Sequence, residues 1–153
     1  MPMIFIIALF IFFLDQSTKL FITKNLCLHQ SLPVIKNIFY ITLVYNKGAA
    51  FGILKGHVYL FIFTSVLAVS LIVSDLIKHN KHKIFSIYNL SLALILGGAA
   101  GNFVDRVFLG HVIDFLDFRI WQGFNWPVFN IADSAITVGA VLLGWSIINS
   151  RAE

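Results

Sequence analysis

Residues 84–106 read IFSIYNLSLALILGGAAGNFVDR, 21 residues without a charge closed by Asp105 and Arg106. The hydrocarbon core of a bilayer is ~30 Å thick and needs about 20 helical residues. The stretch therefore predicts a spanning helix whose last turn is charged. Residues 57–77 predict a second one, with Asp75 as its one charge, near the end.

Composition agrees with these two segments. Apolar residues make up 59% of the 153-residue chain and charged residues 12%, against roughly 45–50% and ~25% in soluble domains. That charge is too sparse to coat a soluble globule, and the apolar surface is too plentiful for disorder. The length suits one integral membrane domain over residues 1–153. The net charge of +4 is scattered or sits at membrane edges, which points to lipid headgroups rather than nucleic acid as the acidic partner. The single Cys27 has neither a disulfide partner nor a metal-ligand spacing, so no metal site is expected.

Two further spans are less regular. Residues 3–14 are uninterrupted apolar sequence, but twelve residues of helix reach only about 18 Å. To cross, this helix must continue through Asp15-Gln16-Ser17-Thr18-Lys19 to about Ile22. With no Lys or Arg before its apolar stretch, it reads as a retained anchor rather than a cleaved signal peptide. The last helix spans only if it starts near Asn130, which puts Asp133 in its first turn. The expected fold class is thus membrane α-helical, with four transmembrane helices at about 3–22, 57–77, 84–105 and 130–150.

The run Lys78-His79-Asn80-Lys81-His82-Lys83 makes the loop between helices two and three cytoplasmic under the positive-inside rule. Lys24, Lys36, Lys47 and Lys55 compete with it from a longer loop. The balance favours an N-in/C-in chain with extracytoplasmic loops at roughly 23–56 and 106–129. Residues 34–45 (VIKNIFYITLVY) and 112–118 (VIDFLDF) are rich in β-branched and aromatic residues and predict strands. They would form a small extracytoplasmic sheet from the two long loops, resting on the outer leaflet with Trp121 and Trp126 at headgroup level. Gly48, Gly52 and Gly56 make the first loop either a flap or a structural turn.

In a four-helix serpentine the polar residues gather on one face. They are Asp15 and Lys19, Asn46-Lys47-Gly48, Asn102, Asp105 and Arg106, Asp114 and Asp117, and Asn130 and Asp133. Ionisable groups clustered at one membrane depth signal a functional site. Each also has a plainer reading. Asp15 and Lys19 are i,i+4 and suit a helix-face ion pair. Asn130 and Asp133 have the spacing of an N-cap and a third helical residue. Asp105 and Arg106 suit an interfacial pair. Gly97-Gly98-Ala99-Ala100-Gly101 suits close helix packing better than a phosphate cradle, because it lies mid-helix with no preceding strand. The five histidines form no triad with a serine.

Asp114 and Asp133 stand out beyond these readings. Asp114 lies among Val112, Ile113, Phe115 and Leu116, a setting that raises a carboxyl pKa. Asp133 faces helix-terminal N–H groups that favour its charge. Two close carboxylates tend to share one proton; one member can activate water while the other hydrogen-bonds a scissile carbonyl.

Five blocks in order carry a family resemblance: Asp15-Gln16-Ser17-Thr18-Lys19, Asn46-Lys47-Gly48-Ala49-Ala50-Phe51-Gly52, residues 97–106, Gly110-His111-Val112-Ile113-Asp114-Phe115, and Phe129-Asn130-Ile131-Ala132-Asp133. The chain resembles the lipoprotein signal peptidases (signal peptidase II), bacterial membrane aspartic proteases. The resemblance implies an endopeptidase that cleaves diacylglyceryl-modified prolipoproteins just before the lipidated cysteine and releases the signal peptide. It implies catalytic roles for Asp114 and Asp133, and supporting or substrate-binding roles for Asp15, Lys19, Asn46, Gly48, Asn102, Arg106 and Asn130. It further implies no metal or organic cofactor. Prolipoproteins and membrane lipids would be the partners, and the active site would lie at the extracytoplasmic face of the bacterial plasma (inner) membrane. We expect a monomer, with Asp133 as the initial base and Asp114 as its protonated partner.

Two other classes compete. A transporter or channel needs polar groups near mid-bilayer on a path between the two sides, and helices two and three are nearly free of them. A non-enzymatic assembly subunit would use the same carboxylates only to dock helices.

Overall fold

In a computed structural model of the chain, residues 2–48, 56–78, 86–119 and 126–150 are described. The elements run α1 (Pro2–Asn25), β1 (Ser31–Ile35), β2 (Phe39–Asn46), α2 (Val58–Lys78), α3 (Ile87–Leu109), β3 (Val112–Phe118) and α4 (Ile131–Ser150). All four helices are long and apolar enough to cross a membrane. Helix α1 runs unbroken through Asp15 and Lys19 and, at 24 residues, extends about 36 Å. It passes the expected end at 22 by most of a turn. Helix α3 starts later than residue 84 because the Ser86 side chain accepts a hydrogen bond from the Asn89 N–H and caps it. It also ends later, at Leu109, where Gly110 adopts φ 73° and donates its N–H to the Arg106 carbonyl.

Helix α3 is the hub and packs against α1, α2 and α4. Its glycines make this possible. A Cβ at Gly97 would stand 2.5 Å from the Ala8 carbonyl oxygen of α1, and one at Gly98 would stand 2.5 Å from the Ala132 carbonyl oxygen of α4. The small-residue run is a packing surface on two sides, as its position within the helix predicts. Outward, the helices present large apolar residues such as Phe10, Phe13, Tyr59, Phe63 and Val141, an arrangement stable in lipid and not in water. A buried apolar cluster of Ile4, Ala8, Ile72, Leu76, Leu92, Ala93 and Leu96 fills one half of the bundle. Asp15, Lys19, Asn102, Asp105 and Asn130 are buried toward the other. Asp75 lies away from that polar end, at the C-terminal end of α2, where it accepts a hydrogen bond from the Tyr88 hydroxyl.

The sheet is three-stranded and antiparallel, in the order β1-β2-β3. The apolar run 34–45 is not one strand. Asn37, at φ 65°, turns the chain inside it, and the Ile38 N–H bonds to the Ile35 carbonyl. Asparagine tolerates this left-handed conformation better than its β-branched neighbours, so the run folds into the β1–β2 hairpin. Strand β3 pairs with β2 as expected, and on its other side Phe129 bridges Leu116. Strand β2 carries a bulge between Ile41 and Val44. Trp126 is about half exposed; Trp121, Gly52 and the lysines at 81 and 83 lie outside the described residues.

Because Gly98 touches backbone rather than a movable side chain, Gly98→Ala should lower the stability of the detergent-solubilised protein by about 1–3 kcal/mol. Gly144→Ala, where nothing lies within 4 Å of the added methyl, should leave it unchanged. Thermal unfolding of the two variants in parallel reads the difference.

Candidate functional site

Lys19 lies one turn beyond Asp15 on α1, with its side chain turned into the bundle. Its Nζ is 2.7 Å from Asp15 Oδ2 and 2.8 Å from Asp105 Oδ2, and it donates to Asn102 Oδ1 at 3.1 Å. All three charged groups are nearly inaccessible, at 0% for Asp15 and 2% for both Lys19 and Asp105. The pair expected on a helix face is thus part of a buried triad. One oxygen of Asp15 is free to approach because Gly101 has no side chain: a Cβ there would stand 2.5 Å from Asp15 Oδ2. Gln16 closes the triad with Nε2 bonds to Asp105 Oδ1 at 3.0 Å and the Gly101 carbonyl at 3.2 Å.

Each carboxylate of the triad also fastens a backbone amide. Asp15 Oδ1 accepts from the Ala132 N–H at 2.9 Å, and Asp105 Oδ2 accepts from the Ile113 N–H at 3.1 Å. Ala132 precedes Asp133, and Ile113 precedes Asp114. The triad therefore anchors α4 and β3 one residue short of each candidate carboxylate.

Those carboxylates are joined by asparagines. Asn130 Nδ2 donates to Asp114 Oδ1 at 2.7 Å and to Asn102 Oδ1 at 3.0 Å, while Asn130 Oδ1 accepts from the Asp133 N–H at 2.8 Å. Asn102 Nδ2 donates to Asp133 Oδ1 at 2.7 Å. Asn46 Nδ2 donates to Asp114 Oδ2 at 2.9 Å, and the Gly48 N–H holds Asn46 Oδ1 at 2.9 Å. The spacing of Asn130 and Asp133 does cap α4, with Asp133 Oδ2 reaching back 3.4 Å to the Asn130 N–H. The Asn130 side chain is at once the cap and, together with Asn102, the link between the carboxylates.

Asp114 is 1% exposed. Burial pushes its carboxyl up to about 7, and the nearby Asp133 adds to the rise against the opposing hydrogen bonds of Asn46 and Asn130. Such a carboxyl holds a proton at neutral pH and can donate a hydrogen bond. Asp133 is less enclosed and borders a groove of about 780 Å³, whose wall includes Phe61, Arg106, Trp126, Phe129 and Val138. Arg106 lies with its guanidinium carbon 5.0 Å from the centre of the Phe61 ring.

Every residue to which the resemblance gives a catalytic or supporting role falls in this assembly or on the groove wall, whereas Asp117 bonds elsewhere, to Thr42 and Arg119. Asp105 and Gln16, to which the resemblance gives no such role, belong to the assembly as well. Asp105 is no pendant of Arg106: it turns to Lys19, three residues on from Asn102 and on the same helix face. That i,i+3 spacing was its signal.

Lys19→Met would leave Asp15 and Asp105 buried without a cation, and should destabilise the protein by about 3–5 kcal/mol in thermal unfolding. The raised carboxyl of Asp114 makes folding favour its protonated form. This contribution is whole below the unfolded-state pKa and is lost as pH rises through about 7. Asp114→Asn should therefore lose less stability than the wild type between about pH 4 and about pH 7, read as the difference between their melting curves.

The same architecture occurs in known proteins. The sequence model of the family described as signal peptidase (SPase) II matches residues 7–149. A protein of Halothermothrix orenii named lipoprotein signal peptidase is 45% identical over 141 residues, or 92% of each chain. One of the same name from Caldanaerobacter subterraneus subsp. tengcongensis is 45% identical over 146 residues, covering 95% of this chain and 96% of that one. Two solved structures, each described as a bacterial membrane enzyme obtained by the in meso method, are also similar. One has a TM-score of 0.90 and 34% identity, covering 99% of this chain and 90% of that chain. The other has a TM-score of 0.85 and 35% identity, covering 96% and 93%. With the match running from inside α1 to the end of α4 over a fold of four apolar helices and one small sheet, the chain is a multi-pass membrane protein of the signal peptidase II family.

Proposed function

We propose that the protein is an aspartic endopeptidase that removes the signal peptide from diacylglyceryl-modified prolipoproteins, cleaving before the lipidated cysteine with Asp114 and Asp133. One observation carries this reading: two carboxylates linked through Asn130 and Asn102, Asp114 holding a proton near neutrality and Asp133 bordering an apolar groove.

Asp133, on the groove side, takes a proton from a water molecule as that water attacks the scissile carbonyl carbon. Asp114 donates its proton in a hydrogen bond to the carbonyl oxygen and stabilises the charge that develops there. Collapse of the tetrahedral intermediate expels the cysteine amine, which takes the proton that Asp133 received from water. Asn130 and Asn102 hold the two carboxylates through the sequence, and Asn46 keeps the second oxygen of Asp114 engaged.

The groove suits a substrate that is part lipid and part helix. Its aromatic and aliphatic wall accepts acyl chains or an apolar peptide, and Arg106 offers a cation at headgroup depth. Lys78 at the far end of α2, followed in sequence by Lys81 and Lys83, supports an N-in/C-in orientation. The dyad then lies at the extracytoplasmic face of the bacterial plasma membrane, where a lipid-anchored cysteine sits at the same depth. Membrane lipids and prolipoproteins are the partners in this reading, with the protein acting as a monomer.

Purified Asp114→Asn and Asp133→Asn should each fold yet lose at least about 10³-fold in cleavage of a diacylglyceryl-modified prolipoprotein. Wild-type cleavage should fall as pH rises through about 7, where Asp114 gives up its proton. Full processing by either variant, measured by the mobility shift of the released lipoprotein, would refute the dyad.

A further inference from the structure

Beyond the dyad, the sheet holds a second polar cluster. Asp117 on β3 is 6% exposed and Thr42 on β2 is 9% exposed. Thr42 Oγ1 donates to Asp117 Oδ2 at 2.6 Å. Arg119 Nη2 binds the same oxygen at 2.6 Å and donates to Ser31 Oγ on β1 at 3.0 Å. Ser31 Oγ and Thr42 Oγ1 are themselves 2.8 Å apart, and the Arg119 guanidinium lies 3.7 Å over the Tyr40 ring. One carboxylate thus joins all three strands.

This cluster and the candidate active site make incompatible demands on a regular sheet. Thr42 and Asn46 are four residues apart, so in a regular strand they share a face. Asp114 and Asp117 are three apart, so they lie on opposite faces. Yet Thr42 bonds Asp117, and Asn46 bonds Asp114. The bulge reconciles them. Ahead of it Tyr40 pairs with Asp117 and Ile41 with Leu116; beyond it Val44 pairs with Asp114 and Asn46 with Val112. Strand β2 spends one extra residue, and its side chains change faces between Thr42 and Val44. The extra length is anchored from below by Leu43, which is 1% exposed and packs with Leu26 and Ile113. Without the bulge, Asn46 would face away from Asp114.

We propose that Asp117 and Thr42 are positioning residues that lock the β2–β3 register at the bulge and so deliver the Asn46 amide to Asp114. The catalytic half of this proposal rests on the reading of Asp114 given above; the register half does not. Asp117 touches no reacting atom. It holds one end of the bulge in the phase that the other end uses.

Thr42→Val keeps the shape and strand propensity and removes only the hydroxyl, whereas Thr42→Ser keeps it. Asp117→Leu removes the acceptor from the β3 side. In the full-length protein in detergent micelles, with asparagine side chains labelled with ¹⁵N, the Asn46 amide protons should be protected from solvent exchange in wild type and Thr42→Ser. They should be released in Thr42→Val and in Asp117→Leu. In cleavage of a lipidated prolipoprotein, Thr42→Val should lower kcat about tenfold with KM unchanged. Combined with Asn46→Ala, it should cost no more than Asn46→Ala alone. An Asn46 amide that stays protected in both variants would overturn the proposal. So would losses that multiply in the double variant, because the cluster would then act on stability rather than through Asn46. Normal cleavage by Asp114→Asn would instead remove the dyad reading, and amide protection would still decide the register.

Discussion

A single ammonium group, Lys19 Nζ, sits between two carboxylates in a part of the bundle that water does not reach. Placing three charges there costs several kcal/mol per ion before any attraction is counted, and the arrangement persists because every polar atom has a use. Asp15 and Asp105 each spend one oxygen on Lys19, and both also bind backbone amides at Ala132 and Ile113. The triad therefore acts as a clamp, holding the first turn of a helix and the start of a strand to α1 and α3. The two carboxylates proposed to do chemistry are the next residues along those two segments.

The clamp depends in turn on how closely the helices approach. The bare backbones at Gly97 and Gly98 let α3 sit against α1 and α4, and the missing side chain at Gly101 leaves room for Asp15. Short groups can then span the gaps: the asparagine amides of Asn102 and Asn130 reach from one element to the next without long flexible arms. Short, enclosed linkers leave few rotamers to lose and little freedom for the carboxylates to drift. The site is thus asymmetric by construction. Asp114 is sealed on a strand, while Asp133 stands in the first turn of a helix beside the groove.

Much of this was legible from residues alone, where local rules decide. The passage of α1 through Asp15 and Lys19 followed from length, because twelve apolar residues cannot cross a bilayer. The cap of α4 followed from the spacing of Asn130 and Asp133, and the burial of Asp114 from its apolar neighbours. What escaped needed two elements at once. The hairpin within 34–45 turned on Asn37, one residue in an otherwise strand-like run. Asp105 was read beside Arg106, its neighbour in sequence, although its partner lies on another helix. The bulge had no signal in β2, because a register exists only once β3 is alongside. Contacts along one element were visible in the pattern, whereas the residue-by-residue partners between elements, such as Asp105 with Lys19, emerged only in the fold.

The central claim is that Asp114 carries the proton of a coupled pair. The most direct measurement is a site-resolved ¹³C NMR titration of the Asp114 carboxyl in the detergent-solubilised protein. The account predicts a midpoint near 7, which moves down when Asp133 is replaced by asparagine, since one source of the rise is then gone. A carboxyl at Asp114 that titrates at the ordinary value of about 4, and ignores the substitution, would contradict it.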